Sequence, residues 1–181
     1  MKNTFIAWQS ILNYGLVLSI LFTAVVLISY IVEPLVWAAD FPEEVQQQIG
    51  EISPDVFPKA LVVMFTILGL MIVFPFLMTC SIFRDQPNRA SFWNLLLNAF
   101  LLLNFMNLFD VIVVDILIFN TIQPDFMWIK GAEDYIREHV TPTFHFIAFF
   151  KGQPYMLTTS AIAAGISKVI VNRSFKKTTQ V

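Results

Sequence analysis

Charged side chains are scarce in this sequence. They make up 13% of the residues, against about 25% in soluble domains, whereas 57% of the residues are hydrophobic and 19 are phenylalanine. The mean hydropathy is correspondingly high, at +0.70. These values exclude an ordinary soluble domain and indicate that the lipid bilayer is the chain's main partner.

An excess of basic residues and a second cysteine are also absent. The net charge of -2 argues against a nucleic-acid-binding protein, because such surfaces are strongly basic. The single cysteine, Cys80, can form neither an internal disulfide nor a CxxC redox pair. We interpret it as a small packing residue at the end of an apolar run.

Four apolar stretches have about the 20 residues that a helix needs to cross the hydrocarbon core. The predicted spans are residues 11–32, 60–80, 92–119 and 155–171. They are too long and too evenly apolar for barrel strands. The sequence therefore predicts an all-α fold, a four-helix transmembrane bundle, in a single integral membrane domain over residues 1–181.

The distribution of lysine and arginine predicts the orientation. With four spans the two termini share one side, and the first span is too long for the core of a cleaved signal peptide. That side holds Lys2, Arg84, Arg89, Lys168, Arg173, Lys176 and Lys177, and the other holds Lys59, Lys130, Arg137 and Lys151. We therefore expect a multi-pass protein of the cell membrane with both termini in the cytoplasm.

Residues 33–59 and 120–154 form the predicted outer loops. Residues 42–49 and 132–139 are each expected to form a short helix. The aromatic stretch FHFIAFF, residues 144–150, is too short to span and should be an interfacial or re-entrant segment.

The fourth span is rich in small residues, which let another helix approach closely. They are Ser160, Ala161, Ala163, Ala164, Gly165 and Ser167. Residues 155–171 therefore carry a contact face, which serves either the inside of the bundle or a second copy or other membrane partner.

The third span carries four polar residues, which are Asn104, Asn107, Asp110 and Asp115. Counted along a helix from Trp93, the two aspartates lie in the outer half of the membrane, and in an α-helix all four side chains fall within an arc of about 140°. An ionised aspartate at mid-bilayer costs about 2.5–3.5 kcal/mol, so these side chains should face the interior or find partners. The candidate partners in the outer loop are Lys130, Arg137, His139, His145 and Lys151. We expect His145 or Lys151 to contact the third span.

Three interpretations of the aspartates stay open. In the first, they are structural and hold residues 123–152 down through hydrogen bonds or ion pairs. In the second, they form a proton or cation site in a transporter or channel, which needs a polar path past Asn98 and the hydroxyls of residues 158–160. In the third, they are metal ligands or acid–base groups of a membrane enzyme, together with His145 and Glu133.

Few sequence features favour an enzyme. Two carboxylates and a histidine suit a divalent metal, but Asp-x4-Asp is not a recognised ligand spacing and one α-helix cannot direct both side chains at one ion. The GxGD, HExxH and GxSxG motifs and the phosphate-binding glycine loops are absent. No cofactor is evident, although a divalent metal is compatible with these residue types.

Three stretches share a pattern with known proteins: WAADFPEEVQ (37–46), NLFDVIVVDILIFNTIQPDF (107–126), and GAEDY followed by FHFIAFFKG (131–135 and 144–152). With them the sequence resembles an uncharacterised family of small bacterial four-span integral membrane proteins. It departs from the family pattern at Ile116, where tryptophan is frequent, and in an insertion at residues 137–142. The resemblance implies no activity, but it implies one site or support containing Asp40, Asp110, Asp115, Glu133, His145, Lys151 and Gly152.

The sequence thus predicts a polar cluster near the outer face. Its members are Asn104, Asn107, Asp110, Asp115, Glu133, His145 and Lys151. The leading functional hypothesis is a non-enzymatic membrane protein, either an accessory or interaction subunit or a small transport component. The alternative is a membrane-embedded enzyme acting on a lipid-like substrate.

Overall fold

The computed structural model describes residues 4–84 and 86–178, without the side chains of residue 87 and of residues 172–178. Within these residues there is no strand, which confirms the predicted all-α class. The α-helices are α1 (Trp8–Val32), α2 (Glu43–Ile49), α3 (Val56–Arg84), α4 (Phe92–Phe109), α5 (Glu133–His139), α6 (Pro142–Lys151) and α7 (Gln153–Thr178). A π-helix, Asp110–Ile122, continues α4, and short 3-10 helices cover Pro34–Asp40, Pro87–Arg89 and Asp125–Met127.

Four helices in the described part of the chain are long and apolar enough to cross a membrane. They are Trp8–Val32, Val56–Arg84, Phe92–Ile122 and Gln153–Val171, so each predicted span is present and a few residues longer. The most apolar window of α3 is only 17% buried, and side chains such as Val62 and Phe65 are exposed. Exposed apolar surface of this extent is typical of helices in lipid, and the chain is a multi-pass membrane protein.

Contacts divide the chain into two units. Unit 1 contains the residues up to Ser19, Gly69–Asn107 and the residues from Gly152 onward. Unit 2 contains Ile20–Leu68 and Leu108–Lys151.

In unit 1, α7 packs through its small residues. Ser160, Ala163, Ala164 and Ser167 are fully buried, and the hydroxyls of Ser167 and Thr79 lie 2.7 Å apart. This part of the predicted contact face is therefore used within the chain. Ala161 and Gly165 are half-buried, and the use of this edge by a second copy or another membrane partner stays a prediction.

The start of α1 is held by two asparagines of α4, also in unit 1. The Ala7 N–H donates to Asn98 Oδ1 at 2.8 Å, and Asn98 Nδ2 donates to the Phe5 carbonyl at 2.8 Å. The Phe5 N–H donates to Asn94 Oδ1 at 3.3 Å, and the Arg89 guanidinium lies 4.9 Å from the Phe5 ring centroid. The Asn98 side chain, proposed from sequence as part of a polar path, is thus occupied in capping the segment before α1.

A close approach in unit 1 requires glycine. A Cβ built on Gly15 would lie 2.6 Å from Cδ1 of Phe105, which is shorter than real Cβ contacts allow. The ring of Phe105 therefore packs against the bare backbone of α1.

Unit 2 contains the predicted short helices. Helix α2 packs on α5, where Gln48 Nε2 donates to the Gly131 carbonyl at 3.2 Å, and α6 packs on the π-helix. Gly131 has a φ of +87°, the left-handed conformation that glycine adopts readily at a turn. The FHFIAFF stretch lies within α6, whose Phe146 and Phe150 are exposed on the side away from the buried His145.

The predicted orientation in the membrane rests partly on residues outside the described part of the chain. Lys2, on which the prediction partly rests, lies outside the described residues. The side chains of Arg173, Lys176 and Lys177 also lie outside the described part of the chain. The cytoplasmic location of the termini therefore stays a prediction.

Candidate functional site

The helix geometry of the third span changes at the first aspartate. Residues Asp110–Ile122 form a π-helix, whose backbone hydrogen bonds join residues five apart instead of four. At its end the Gln123 N–H donates to the Ile118 carbonyl at 2.8 Å. Two side chains follow the same five-residue spacing, since Asn120 Nδ2 donates to the Asp115 carbonyl and Thr121 Oγ1 donates to the Ile116 carbonyl, each at 2.8 Å.

This change of geometry brings the aspartates together. Residues five apart lie about 140° apart around an α-helix, but only about 50° apart around a π-helix with roughly 4.4 residues per turn. Asp110 and Asp115 therefore occupy one face, one turn apart. The same face continues with Val114 and Phe119, which gives the pattern i, i+4, i+5, i+9.

Helix α6 supplies a partner for one of the two carboxylates. His145 Nδ1 lies 3.1 Å from Asp115 Oδ2, so the predicted contact between His145 and the third span is present. The His145 side chain is only 9% exposed. Its second ring nitrogen, Nε2, is buried and has no hydrogen-bond partner within the described residues. A histidine held at Nδ1 by a carboxylate presents Nε2 for binding or proton transfer.

Both groups line a cavity of about 260 Å³ within unit 2. Its walls come from the end of α1, the segment that follows α1, the π-helix and α6. The lining residues are Phe22, Val26, Tyr30, Trp37, Asp40, Phe41, Asp110, Val114, Asp115, Phe119, Met127, Val140, Phe144, His145 and Ala148. Ligand sites in proteins commonly combine such an apolar wall with a few convergent polar groups.

The cavity is acidic. Asp40, Asp110 and Asp115 line it, whereas none of its lining residues in the described chain is a lysine or an arginine. Asp110 interacts electrostatically with Asp115 but makes no hydrogen bond or ion pair among the described residues. Asp40 is exposed overall, yet desolvation by the surrounding wall raises the pKa of its carboxyl above the ordinary value.

Aromatic rings form much of the remaining wall, beside aliphatic side chains such as Val26 and Met127. Tyr30 stacks on Trp37 with 5.7 Å between ring centroids and 16° between planes. Trp37 is fixed in this position because its Nε1 donates to the hydroxyl of Ser29 at 2.8 Å. Phe119 lies 6.3 Å from Tyr30, 6.2 Å from Phe41 and 5.8 Å from His145, measured between ring centroids.

The other predicted cluster residues are not among those that line the cavity. The Asn104 side chain donates to the Phe100 carbonyl at 2.9 Å, and Asn107 Nδ2 is buried without a partner; both belong to unit 1. Glu133 Oε2 accepts from the Gly131 N–H at 2.7 Å, which stabilises the turn before α5. Lys151 is exposed at the end of α6. Of the seven predicted residues, the cavity therefore contains Asp110, Asp115 and His145.

The other predicted partners of the aspartates have local roles or lie outside the cavity. The Arg137 guanidinium lies over the Trp128 ring at 4.9 Å, and the Tyr135 carbonyl lies 2.9 Å from His139 Nδ1. Lys130 is exposed and does not line the cavity. Within the described residues, no three histidine, cysteine, aspartate or glutamate side chains are placed to hold one metal ion.

Sequence reasoning missed the aromatic half of the site. Aromatic residues are frequent in this chain, so the sequence alone assigns the four rings only to a span or a loop: Tyr30, Trp37, Phe41 and Phe119. One signal was present, since Asp110, Val114, Asp115 and Phe119 follow the spacing of a π-helix. That spacing acquires meaning only once the helix type is known.

The arrangement allows two kinds of chemistry. A group with positive charge can be held between the carboxylates and the aromatic faces. A proton can be moved at His145 Nε2 while Asp115 holds the ring through Nδ1. No family model, curated protein or solved structure matches this chain.

Proposed function

We propose that this chain is a non-enzymatic integral membrane protein, a small transport or accessory component, that binds a small ligand in the cavity of unit 2. The observation that carries the proposal is the buried Nε2 of His145, which has no hydrogen-bond partner within the described residues and lies in the same cavity as the half-buried Asp110 carboxyl group. Buried polar groups normally have hydrogen-bond partners in native proteins. Groups that lack them and line a cavity are available to a ligand.

A purely structural role for the aspartates accounts for only part of this geometry. It accounts for Asp115, whose contact with His145 ties α6 to the π-helix. It does not account for Asp110, because a carboxylate that only holds a loop in place should contact that loop. A purely structural role also does not explain why these groups line a cavity.

The location of the cavity in the membrane follows from the predicted orientation. It is built from the end of α1, the π-helix and the segments that follow them, which the lysine and arginine distribution assigns to the outer side. In this proposal the ligand therefore enters from the outer side or from the outer leaflet.

The test is a ligand screen read out by thermal unfolding. A ligand that binds the folded protein raises the midpoint of thermal unfolding. At a concentration of 100 times its Kd, it adds about 2.7 kcal/mol to the free energy of unfolding. The purified protein in nanodiscs would be screened against small cations, anions and neutral polar compounds. The variants Asp110→Asn and His145→Gln should lose the ligand-induced shift, whereas Asp125→Asn, an exposed acid outside the cavity, should retain it. A shift that all variants retain, or no shift with any compound, would contradict the proposal.

A second function, a membrane enzyme acting on a lipid-like substrate, is favoured by one observation. The contact between Asp115 and His145 Nδ1 leaves Nε2 positioned as a general base. The test is to incubate the protein with lipid vesicles and analyse the lipids by mass spectrometry. Product that forms with the wild type and not with His145→Gln would favour the enzyme, and unchanged lipids would favour the binding protein.

A further inference from the structure

We propose that the cavity of unit 2 binds a monovalent organic cation of the ammonium type, between the carboxylates of Asp110 and Asp115 and the aromatic faces of Tyr30, Trp37 and Phe119. This inference rests on the proposed function, because it names the ligand class of the same cavity. Four observations carry it: the aromatic wall, the sign of the charge, the unpartnered histidine nitrogen, and the size of the cavity.

The aromatic wall is the first observation. The face of an aromatic ring attracts a cation within about 6 Å of its centroid, and proteins recognise alkylammonium groups with clusters of such rings. Tyr30 and Trp37 are stacked, and Phe119 and Phe41 extend the wall at centroid distances near 6 Å from their neighbours. The face of an aromatic ring is the negative part of its quadrupole, so contact with it favours a cation over an anion.

The charge of the lining is the second observation. Three carboxylates line the cavity without a lysine or arginine among the described lining residues, and the partner of Asp115 is a histidine. The Tyr30 hydroxyl lies within electrostatic range of Asp40, Asp110 and Asp115. An entering cation would stabilise the ionised carboxylates, because a positive charge within a few ångströms favours the charged form of an acid.

The unpartnered nitrogen is the third observation. His145 is 7% exposed, lines the cavity and leaves Nε2 without a partner. A neutral imidazole with its proton on Nδ1, toward Asp115, has a lone pair on Nε2. That lone pair can accept a hydrogen bond from an N–H or O–H of the ligand, and a ligand group near Nε2 would satisfy the atom.

Size and ligand geometry favour an organic cation over a metal ion. The cavity of about 260 Å³ is slightly smaller than the roughly 300–1,000 Å³ of drug-sized ligand sites, so it suits one ammonium group with a few carbon atoms. A metal ion needs several converging ligands at short distance, and no such group of three side chains occurs in the described chain. The carboxylates instead lie among aromatic rings, which an alkylammonium ion can contact.

The same chemistry can come from a free amine or from the headgroup of a lipid. The probes are therefore choline and 3,3-dimethyl-1-butanol, which has the same shape as choline without its charge. Binding would be measured by calorimetry with the full chain in nanodiscs of phosphatidylglycerol, and repeated in nanodiscs of phosphatidylcholine. Choline affinity that is equal in both lipids assigns the site to a free amine, whereas loss of choline binding in phosphatidylcholine assigns it to the lipid headgroup. Both results support an ammonium site.

The expected result is that choline binds at least tenfold more tightly than its neutral isostere in phosphatidylglycerol nanodiscs. Asp110→Asn and Trp37→Leu should each weaken choline binding about tenfold. The controls Asp125→Asn and Trp93→Leu change an exposed acid and an exposed tryptophan outside the cavity and should leave the affinity unchanged. Each variant is checked by its thermal unfolding, so that loss of fold is not read as loss of binding.

Equal affinity for choline and the neutral isostere in phosphatidylglycerol nanodiscs, or no binding of choline in those nanodiscs, would overturn the inference. The proposed function is tested separately, by the ligand screen. If anions or neutral compounds shift the unfolding midpoint in a manner that needs Asp110 and His145, the cavity binds a ligand of another class. If no compound does so, the proposed function fails as well.

Discussion

Asp115 Oδ2 and His145 Nδ1 lie 3.1 Å apart and join the ten-residue helix α6 to the π-helical part of the third span. Both side chains are more than three-quarters buried. The contact therefore links a segment too short to cross the membrane to one that is long enough.

The first prediction concerns the strength of this contact. Asp115→Ala and His145→Ala should each lower the free energy of unfolding by roughly 1–3 kcal/mol, because each leaves a buried polar group without its partner. The double variant should lose less than the sum, with a coupling of about 0.5–3 kcal/mol. The measurement is an unfolding titration with sodium dodecyl sulfate, with Asp125→Asn as the control at an exposed acid. Strictly additive losses would show that the two side chains do not interact.

The second prediction tests the π-helix. The substitutions Asp110→Cys and Asp115→Cys would be made together in a Cys80→Ala background. The two thiols should bind one Cd²⁺ ion, because the π-helix places them about 50° apart. Bound Cd²⁺ would protect both thiols from maleimide labelling. The control pair is Leu96→Cys with Leu101→Cys. These two positions are also five residues apart, lie within α4 and are half-buried. These thiols should stay reactive, since an α-helix separates them by about 140°. Equal protection of both pairs would contradict the change of helix type.

The third prediction concerns the close approach at Gly15. Gly15→Ala should destabilise the protein by about 1–3 kcal/mol, because the added methyl group would lie 2.6 Å from a ring carbon of Phe105. Gly69→Ala is the matched control within another span, since nothing lies within 4 Å of its added Cβ. It should leave stability unchanged or raise it slightly through helix propensity. Equal effects of the two substitutions on thermal unfolding would argue against the packing of Phe105 on α1.

The fourth prediction concerns the pH dependence that Asp40 contributes. Desolvation raises the pKa of this carboxyl in the folded protein, so the folded state binds the proton more tightly than the unfolded chain. The contribution of Asp40 to stability is therefore fully present below the ordinary aspartate pKa and is lost as the pH rises through the raised value. As the pH rises above the ordinary aspartate pKa of about 3.9, the stability of the wild type should fall relative to that of Asp40→Asn.

Asp55 should contribute a pH dependence of stability opposite to that of Asp40. The hydroxyl of Ser53 donates to its carboxylate and lowers the pKa of Asp55. Its contribution is present above the ordinary aspartate pKa and is lost as the pH falls. Asp55→Asn should therefore show a difference from the wild type that grows with pH, whereas the Asp40→Asn difference declines. If the two stability differences from the wild type changed with pH in the same direction, the assignment for Asp40 would be contradicted.

The fold could be predicted largely from the sequence. Apolar runs of the required length predict membrane helices because the bilayer leaves unpaired backbone groups no water to bind. Pro42 before Glu43 and Glu44, and the turn at Gly131, also placed the short helices α2 and α5 correctly. These features depend on local sequence alone.

The site could be predicted only in part. The contact of His145 followed from the cost of leaving Asp115 unpaired in a membrane. The grouping of Asn104 and Asn107 with the aspartates assumed an α-helix throughout, and the π-helix that begins at Asp110 alters the angles on which that grouping rested. A π-helix has no composition of its own, since the same apolar residues form either helix.

The capping of residues 5 and 7 by Asn98 has a consequence for the order of assembly during synthesis. The bonded atoms at the start of α1 lie 91 and 93 residues before their partner along the chain. When the first span leaves the ribosome, the amide hydrogen of Ala7 and the carbonyl of Phe5 have no asparagine to bind, so water or headgroups must solvate them. Only after the third span has been inserted can the amino-terminal segment reach its final position.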